Sequence, residues 1–253
     1  MKYHVRLNED MLKGAVTAIL PGDPGRVEKT AKHINANAVF LASNREYTSW
    51  LAQADGNNVL VCSTGIGGPS LSIAVEELAS LGIKNFIRIG TTGAIQPKIK
   101  MPSLIVTTGA VRLDGASKHY APIEYPAVAD FDITAALIEG AKRTGIPFYK
   151  GITASSDTFY PGQERYDTFS KYVIRDFQGS LAEWQKLNVL NFEMESATLF
   201  TIANAFGLKA GCIASVIVNR TTGETPDDKV LAEAESNLAS AVKYALSILT
   251  INE

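Results

Sequence analysis

Phe86-Ile-Arg-Ile-Gly-Thr-Thr-Gly93 joins an aliphatic, β-branched run to an end rich in glycine and threonine. Such a run reads as a strand, with its glycines free to turn or to approach a ligand closely. Gly90, Thr91, Thr92 and Gly93 are read as backbone donors and hydroxyls lying past the strand end. A charge inside an apolar run is costly unless it is paired or bound, so Arg88 either holds an anion or pairs with a carboxylate. Ala18-Ile-Leu-Pro-Gly-Asp-Pro-Gly-Arg26 repeats the arrangement. There Gly22 permits close approach, Pro24 is placed to open a helix with free N–H groups, and Arg26 offers a guanidinium fork. By itself this second segment reads first as a plain strand–turn–helix junction. Neither loop has the Gly-x-Gly-x-x-Gly spacing of a dinucleotide fingerprint, and no Gly-Lys-Ser/Thr follows for a nucleoside triphosphate.

Outward from these loops, further strand-like runs occur at 16–20, 59–63, 104–108 and 212–218. Helical patterns alternate with them. Over 70–81, Leu71, Val75 and Leu78 share a face behind Pro69, and Gly82 ends the pattern. Near the end, Val230, Leu231, Ala234, Leu238, Ala241, Val242, Ala245 and Leu249 recur at helical spacing. Apolar strands alternating with amphipathic helices predict a three-layer α/β/α architecture with a largely parallel sheet. Ligands in such sheets gather at the carboxyl ends of strands, where both glycine loops would lie. Residues 154–178 break the rhythm and read as a functional loop with a short element, and 221–228 as a mobile loop.

No linker or low-complexity tract divides the 253 residues, so a single domain over 1–253 is expected. A formal charge of −2 gives no electrostatic reason for a nucleic acid or anionic membrane partner. No apolar run reaches membrane-spanning length, and the N-terminal segment lacks the apolar core of a secretory signal. Cys62 and Cys212 sit in strand-like runs and suit a reducing, cytoplasmic setting better than a disulfide. Three histidines without paired spacing make a zinc site improbable.

Phe192-Glu-Met-Glu-Ser196 carries a doubled carboxylate. Glu193 and Glu195 either cap the helix expected to start at Ser196 or grip vicinal sugar hydroxyls near a centre that gains positive character. Met194 offers a soft apolar contact. Phe159-Tyr-Pro-Gly-Gln-Glu-Arg165 combines a stacking ring, the two-way amide of Gln163 and the donors of Arg165, a set that fits the edge of a uracil ring. An anion site beside a sugar site points to phosphate reacting with a glycoside.

With Cys62-Ser-Thr-Gly-Ile-Gly-Gly-Pro-Ser70, Val111-Arg-Leu-Asp-Gly-Ala116 and Ser155-Ser-Asp-Thr-Phe-Tyr-Pro-Gly-Gln-Glu-Arg-Tyr166, these segments resemble the nucleoside phosphorylase family of hexameric bacterial type. The resemblance covers nearly the whole chain. It implies an α/β phosphorylase fold with a central mixed sheet, assembled as a homohexamer that is a trimer of dimers. It also implies reversible phosphorolysis of uridine to uracil and α-ribose 1-phosphate in pyrimidine nucleoside salvage and catabolism. Inorganic phosphate would be the co-substrate, with no other cofactor required. By the same resemblance Gly22, Arg26, Arg88 and Thr91 bind phosphate, joined by Arg45 from the neighbouring subunit. Thr92, Met194 and Glu195 hold the ribose, with Glu193 nearby and His4 supplied across the dimer interface. Gln163 and Arg165 read uracil, Phe159 packs on it, and Arg220 organises that end of the pocket. Arg88, Glu195 and Arg165 are the catalytic residues, and Glu46, Ile66 and Ser70 match positions where K+ or another monovalent cation can sit between subunits.

Purine-specific relatives place an aspartate after the late strand, whereas this chain reads Val218-Asn-Arg220. That departure, with Gln163 and Arg165, favours a pyrimidine. Two other departures are Met101-Pro-Ser103, where a Gly-Asp turn is usual, and Tyr3, where phenylalanine is common.

Overall fold

The computed structural model describes residues 1–223 and 228–251. A short helix α1 (Glu9–Leu12) precedes strand β1 (Thr17–Pro21), after which the 3-10 turn Pro24–Arg26 leads into α2 (Val27–Ile34). An antiparallel meander of β2 (Val39–Asn44), β3 (Tyr47–Ala54) and β4 (Asn57–Cys62) is followed by α3 (Gly68–Ala79). Then come β5 (Asn85–Ala94), β6 (Ser103–Leu113), β7 (Ala127–Val128), α4 (Phe131–Arg143) and β8 (Phe148–Ser156). The rest is α5 (Ser180–Lys186), β9 (Asn191–Glu193), α6 (Ser196–Ala205), β10 (Lys209–Asn219) and α7 (Asp228–Ile251).

The ten-stranded sheet runs β10-β6-β8-β9-β5-β1-β4-β3-β2, with β7 on β6. Because β10 also pairs with β5, the strands β5, β10, β6, β8 and β9 close on themselves, and β1, β4, β3 and β2 extend from that ring. β5 is parallel to β1 and β10, β1 to β4, and β8 to β6 and β9; β9 against β5 and β6 against β10 are antiparallel. The sheet is therefore mixed, with parallel pairs at its centre.

Strand alternation sorts the core into two layers. Ala18, Leu20, Leu60, Cys62 and Phe86 pack with Leu71 and Leu78 of α3 and Leu199 and Ile202 of α6. Ile19, Val59, Val61, Ile87 and Ile89 pack with Val27 of α2, Ile133 of α4, and Leu238 and Val242 of α7. These are the two helical layers expected from the sequence. Arg88 alternates with Ile87 and Ile89, so its side chain leaves the sheet on the α3/α6 side. Cys62 and Cys212 are buried, unpaired thiols, pushed up by burial to about 11 and about 12.

Some boundaries differ from the sequence reading. The glycine–threonine segment 90–93 continues β5, because Gly90 to Gly93 register against Ala214 to Val218 of β10, and Gly93 also pairs with Phe192. The segment is thus strand and not loop: its edge toward β10 is laddered, while pairing on the other edge ends with β1 at Ile89 and resumes with β9 at Gly93. Ala154 to Ser156 belong to β8, and the irregular stretch begins after them. The helix read over 70–81 begins at Gly68. Of the loop read at 221–228, residues 224–227 lie outside those described. The turn at Met101-Pro-Ser103 has a cis Met101–Pro102 bond and gives way to β6 at Ser103. Among the described residues no helix is long and apolar enough to cross a membrane.

Candidate active site

The parallel strands β1 and β5 bring their carboxyl ends together beneath a cavity of about 530 Å³. Gly22, Arg26, Arg88 and Thr91 share one part of its wall. Gly22 is closely packed, since an added Cβ would lie 3.2 Å from both the Arg88 guanidinium and the Gly65 carbonyl. Arg88 donates from Nη1 to Leu20 O at 3.1 Å and from Nη2 to Glu195 Oε2 at 2.7 Å. The carboxylate alternative for Arg88 is thus realised, while a guanidinium retains further N–H donors beyond these two bonds. Burial works against the Arg88 charge, but Glu195 beside it holds the proton more firmly than usual.

Arg26 closes the same wall from the turn after β1. Asp23 accepts the Gly25 N–H at 2.8 Å, which takes up one donor of that turn. Helical geometry starts only at Val27, so Pro24 opens a 3-10 turn rather than the α-helix itself. Arg26 Nε lies 3.0 Å from Glu235 Oε1 of α7, so this arginine is held, not simply solvated.

The two carboxylates divide their work. Glu193 ends β9, and its Oε2 accepts N–H bonds from Glu195 and Ser196, both at 2.9 Å. It caps α6, the structural alternative among those the sequence left open. Burial first, and then the charge of Glu195, raise its carboxyl above the usual range. Glu195 spans two elements instead: Oε1 accepts Gly67 N–H at 2.6 Å, at the start of α3, while Oε2 meets Arg88. Met194 and Thr92 line the cavity beside it. The Thr92 hydroxyl donates to Phe192 O at 2.6 Å and accepts from Asn191 at 2.8 Å, which ties β5 to β9.

Phe159, Gln163 and Arg165 form the far wall with Ile217 and Val218 of β10. The Arg165 guanidinium lies 4.2 Å from the Phe159 ring centre, a cation–π contact. Arg220 stands behind this wall, donating to Gln163 O at 2.6 Å with its guanidinium 5.7 Å from the Phe192 ring centre. Burial and the nearby Arg165 lower Arg220 to about 10, and burial also lowers Arg165, with Asp167 opposing it. Two crowded guanidinium groups favour an electron-rich ligand at this end. The Asn219 amide is spent elsewhere, donating to Gln96 O and Ile99 O at 3.0 and 2.7 Å.

Five sequence-selected residues do not line the cavity of this chain: Arg220, which backs its far wall, and His4, Arg45, Glu46 and Ser70. Glu77 accepts N–H bonds from His4 and Val5 and sits 2.8 Å from His4 Nδ1, so the N-terminal segment is docked on α3. Arg45 is exposed at the tip of the β2–β3 hairpin with a left-handed φ of 53°, uncommon outside glycine. Glu46 and Ser70 flank Gly65, where an added Cβ would meet Ser70 Oγ at 2.7 Å and Glu46 Cγ at 3.0 Å. The Ser70 hydroxyl donates to Thr64 O, and Ile66 is exposed at the cavity mouth. Among the described residues no cluster of histidine, cysteine and carboxylate side chains could hold a metal ion.

Sequence reasoning missed Gly67 as the second anchor of Glu195, and Glu235 as the partner of Arg26. Both are contacts between segments far apart in the chain, which neither period nor motif encodes.

The model of the phosphorylase superfamily matches residues 16–251. The chain is 57% identical over 247 residues to the uridine phosphorylase of Haemophilus influenzae, covering 98% of each. It is 58% identical over 243 residues to that of Escherichia coli, covering 96% of each. The guanosine phosphorylase of Halorubrum lacusprofundi is 37% identical over 237 residues, covering 92% of each.

Proposed function

The chain belongs to the phosphorylase superfamily, and from that premise we infer that it is a pentosyltransferase acting on uridine. It exchanges uracil for inorganic phosphate at the anomeric carbon, giving α-ribose 1-phosphate, and the reaction is reversible. Superfamily membership alone does not select the base, since a relative at 37% identity is named for guanosine. The higher identity to the uridine enzymes and the Gln163–Arg165 wall both favour uracil. Asn219 favours it too, because its amide holds the 96–99 turn and is no acid for a purine.

The observation that carries the mechanism is the buried Arg88–Glu195 pair on the cavity wall. It sets a cation next to Gly22 and Thr91 and a carboxylate next to Met194, so that phosphate and sugar can be held side by side in one cavity. In this reading Arg88, Arg26, Thr91 and the Gly22 backbone hold phosphate below the sugar, and the neighbour's Arg45 completes the clamp. The Glu195 oxygens, each with a lone pair beyond its present bond, take the 2′ and 3′ hydroxyls, and their charge suits the cationic ring of the transition state. Glu193 keeps Glu195 in place through the backbone. Phosphate is the nucleophile, so no covalent enzyme intermediate forms. Negative charge moves onto uracil as the bond breaks, and Arg165 and Gln163 receive it without a conventional general acid. Arg220 fixes Gln163 from behind.

His4 and Arg45 lie away from the cavity of their own chain, which supports a site shared within a dimer; the hexamer of three such dimers is carried by the family resemblance. Glu46, Ile66 and Ser70 are offered as a K+ position at that interface, and the buried thiols accord with a reducing cytoplasm. The test is base release from uridine, thymidine and inosine, each with and without phosphate. Rapid uracil release that needs phosphate is expected. Equal release without phosphate would indicate hydrolysis, and preferential inosine cleavage would move the chain to the purine branch.

A further inference from the structure

Arg26 is the shared wall of two cavities. On one side is the active-site cavity; on the other a space of about 250 Å³ lies between α2 and α7, lined also by Lys29, His33 and Glu235. Across this space Glu235 Oε1 meets Arg26 Nε at 3.0 Å, and Lys29 Nζ lies 3.4 Å from Oε2. Glu28, the acidic residue of the first turn of α2, is committed to Lys32, so Arg26 receives its carboxylate from α7.

We propose that Glu235 is a positioning residue that presets Arg26 for phosphate, an inference that rests on the phosphate reading of Arg26. An arginine side chain has many rotamers, and fixing one on ligand binding costs free energy. A carboxylate 3.0 Å from Nε, an ion pair without hydrogen-bond alignment, biases the chain beforehand and leaves the terminal nitrogens for an oxyanion. Glu235 would repel phosphate if it stood alone. Lys29 at its second oxygen offsets that charge, and the three side chains together remain cationic. Glu235 lies in the second turn of α7, the helix that follows the 221–228 connection, so the same contact ties phosphate affinity to where α7 sits.

The experiment compares Glu235→Gln with the wild-type enzyme at full length. The expected result is a rise of roughly tenfold in KM for phosphate, with kcat at saturating phosphate and KM for uridine changed less than about twofold. An unchanged or lower KM for phosphate overturns the proposal. So does a parallel fall in kcat and uridine affinity with a lower melting temperature, which would mark a merely structural contact. Calorimetric titration with inorganic phosphate is run on both proteins and reads Arg26 without turnover. Weaker phosphate binding by the variant sustains the proposal even if uridine proves not to be the substrate. Equal binding by the two proteins removes it even if uridine is cleaved.

Discussion

Arg88 shows how one residue can serve two readings at once. The sequence posed a choice between an anion ligand and a buried ion pair, and the structure supplies the pair with Glu195 at 2.7 Å. The same bond positions both groups at the cavity, so pairing and ligand binding are not rivals. Arg88→Ala should leave a buried, uncompensated carboxylate and cost about 3 kcal/mol or more of stability, as well as phosphate-dependent turnover. Arg88→Met with Glu195→Gln removes both charges. It should recover much of that stability while staying inactive, because apolar or neutral replacements spare the desolvation cost but cannot clamp phosphate. Urea unfolding beside uracil release separates the two effects; equal stability of the single and double variants would show that the pair is not what stabilises this spot. Arg88, Glu195, Gln163 and Arg165 were legible as site residues because charge and amide groups are conspicuous in apolar or glycine-rich surroundings. Glu235 was not, since a glutamate on an amphipathic helix looks like any solvated one.

Elements were legible where their period was long. α3 and α7 followed their spacing closely, and β1, β4 and β10 their apolar runs. β2 was not, because it lies on the sheet edge with Val39 and Phe40 exposed, and its pattern lacks a buried face. β9 has three residues and exists because β5 and β8 pair with it. Similarly, the N-terminal segment has no regular structure that a sequence could announce, yet Val5 and Leu7 are fully buried. It is docked on α3 through Glu77. Burial raises the cost of that carboxylate, but N–H bonds from Val5 and His4 outweigh it, and the group titrates below its ordinary 4.5. A carboxyl with a depressed folded value gives stability that is complete above 4.5 and fades as the pH falls through the lowered value. Glu77→Gln should therefore cost about 1–3 kcal/mol at pH 7, and the gap from wild type should narrow below the ordinary carboxylate range. Denaturation midpoints at neutral and acid pH check this, and a gap that persists in acid would mean the anchor is not the ionised carboxylate.

At the scale of the molecule, the three layers were legible from alternation of strand and helix, whereas closure of five strands into a ring was not. Closure depends on β10 pairing on both edges, with β5 and with β6, which composition cannot reveal. The cavity is likewise assembled from distant segments, and within one chain it includes neither Arg45 nor His4. If each site draws Arg45 from a neighbour and Glu195 from its own chain, two inactive variants can repair one another. In a dimer of Arg45→Ala with Glu195→Gln, one site carries both lesions and the other carries none. Random mixing makes half the dimers mixed, so activity should recover to about a quarter of wild type. The measurement is uracil release after the two variants are dissociated, mixed and reassembled, with mixed oligomers verified by differential tagging. Self-contained sites would give no recovery, because every site would then keep the lesion of its own chain. A quarter is also the ceiling for a site shared by two chains, so substantially higher recovery would point to compensation within one chain and not to exchange between neighbours.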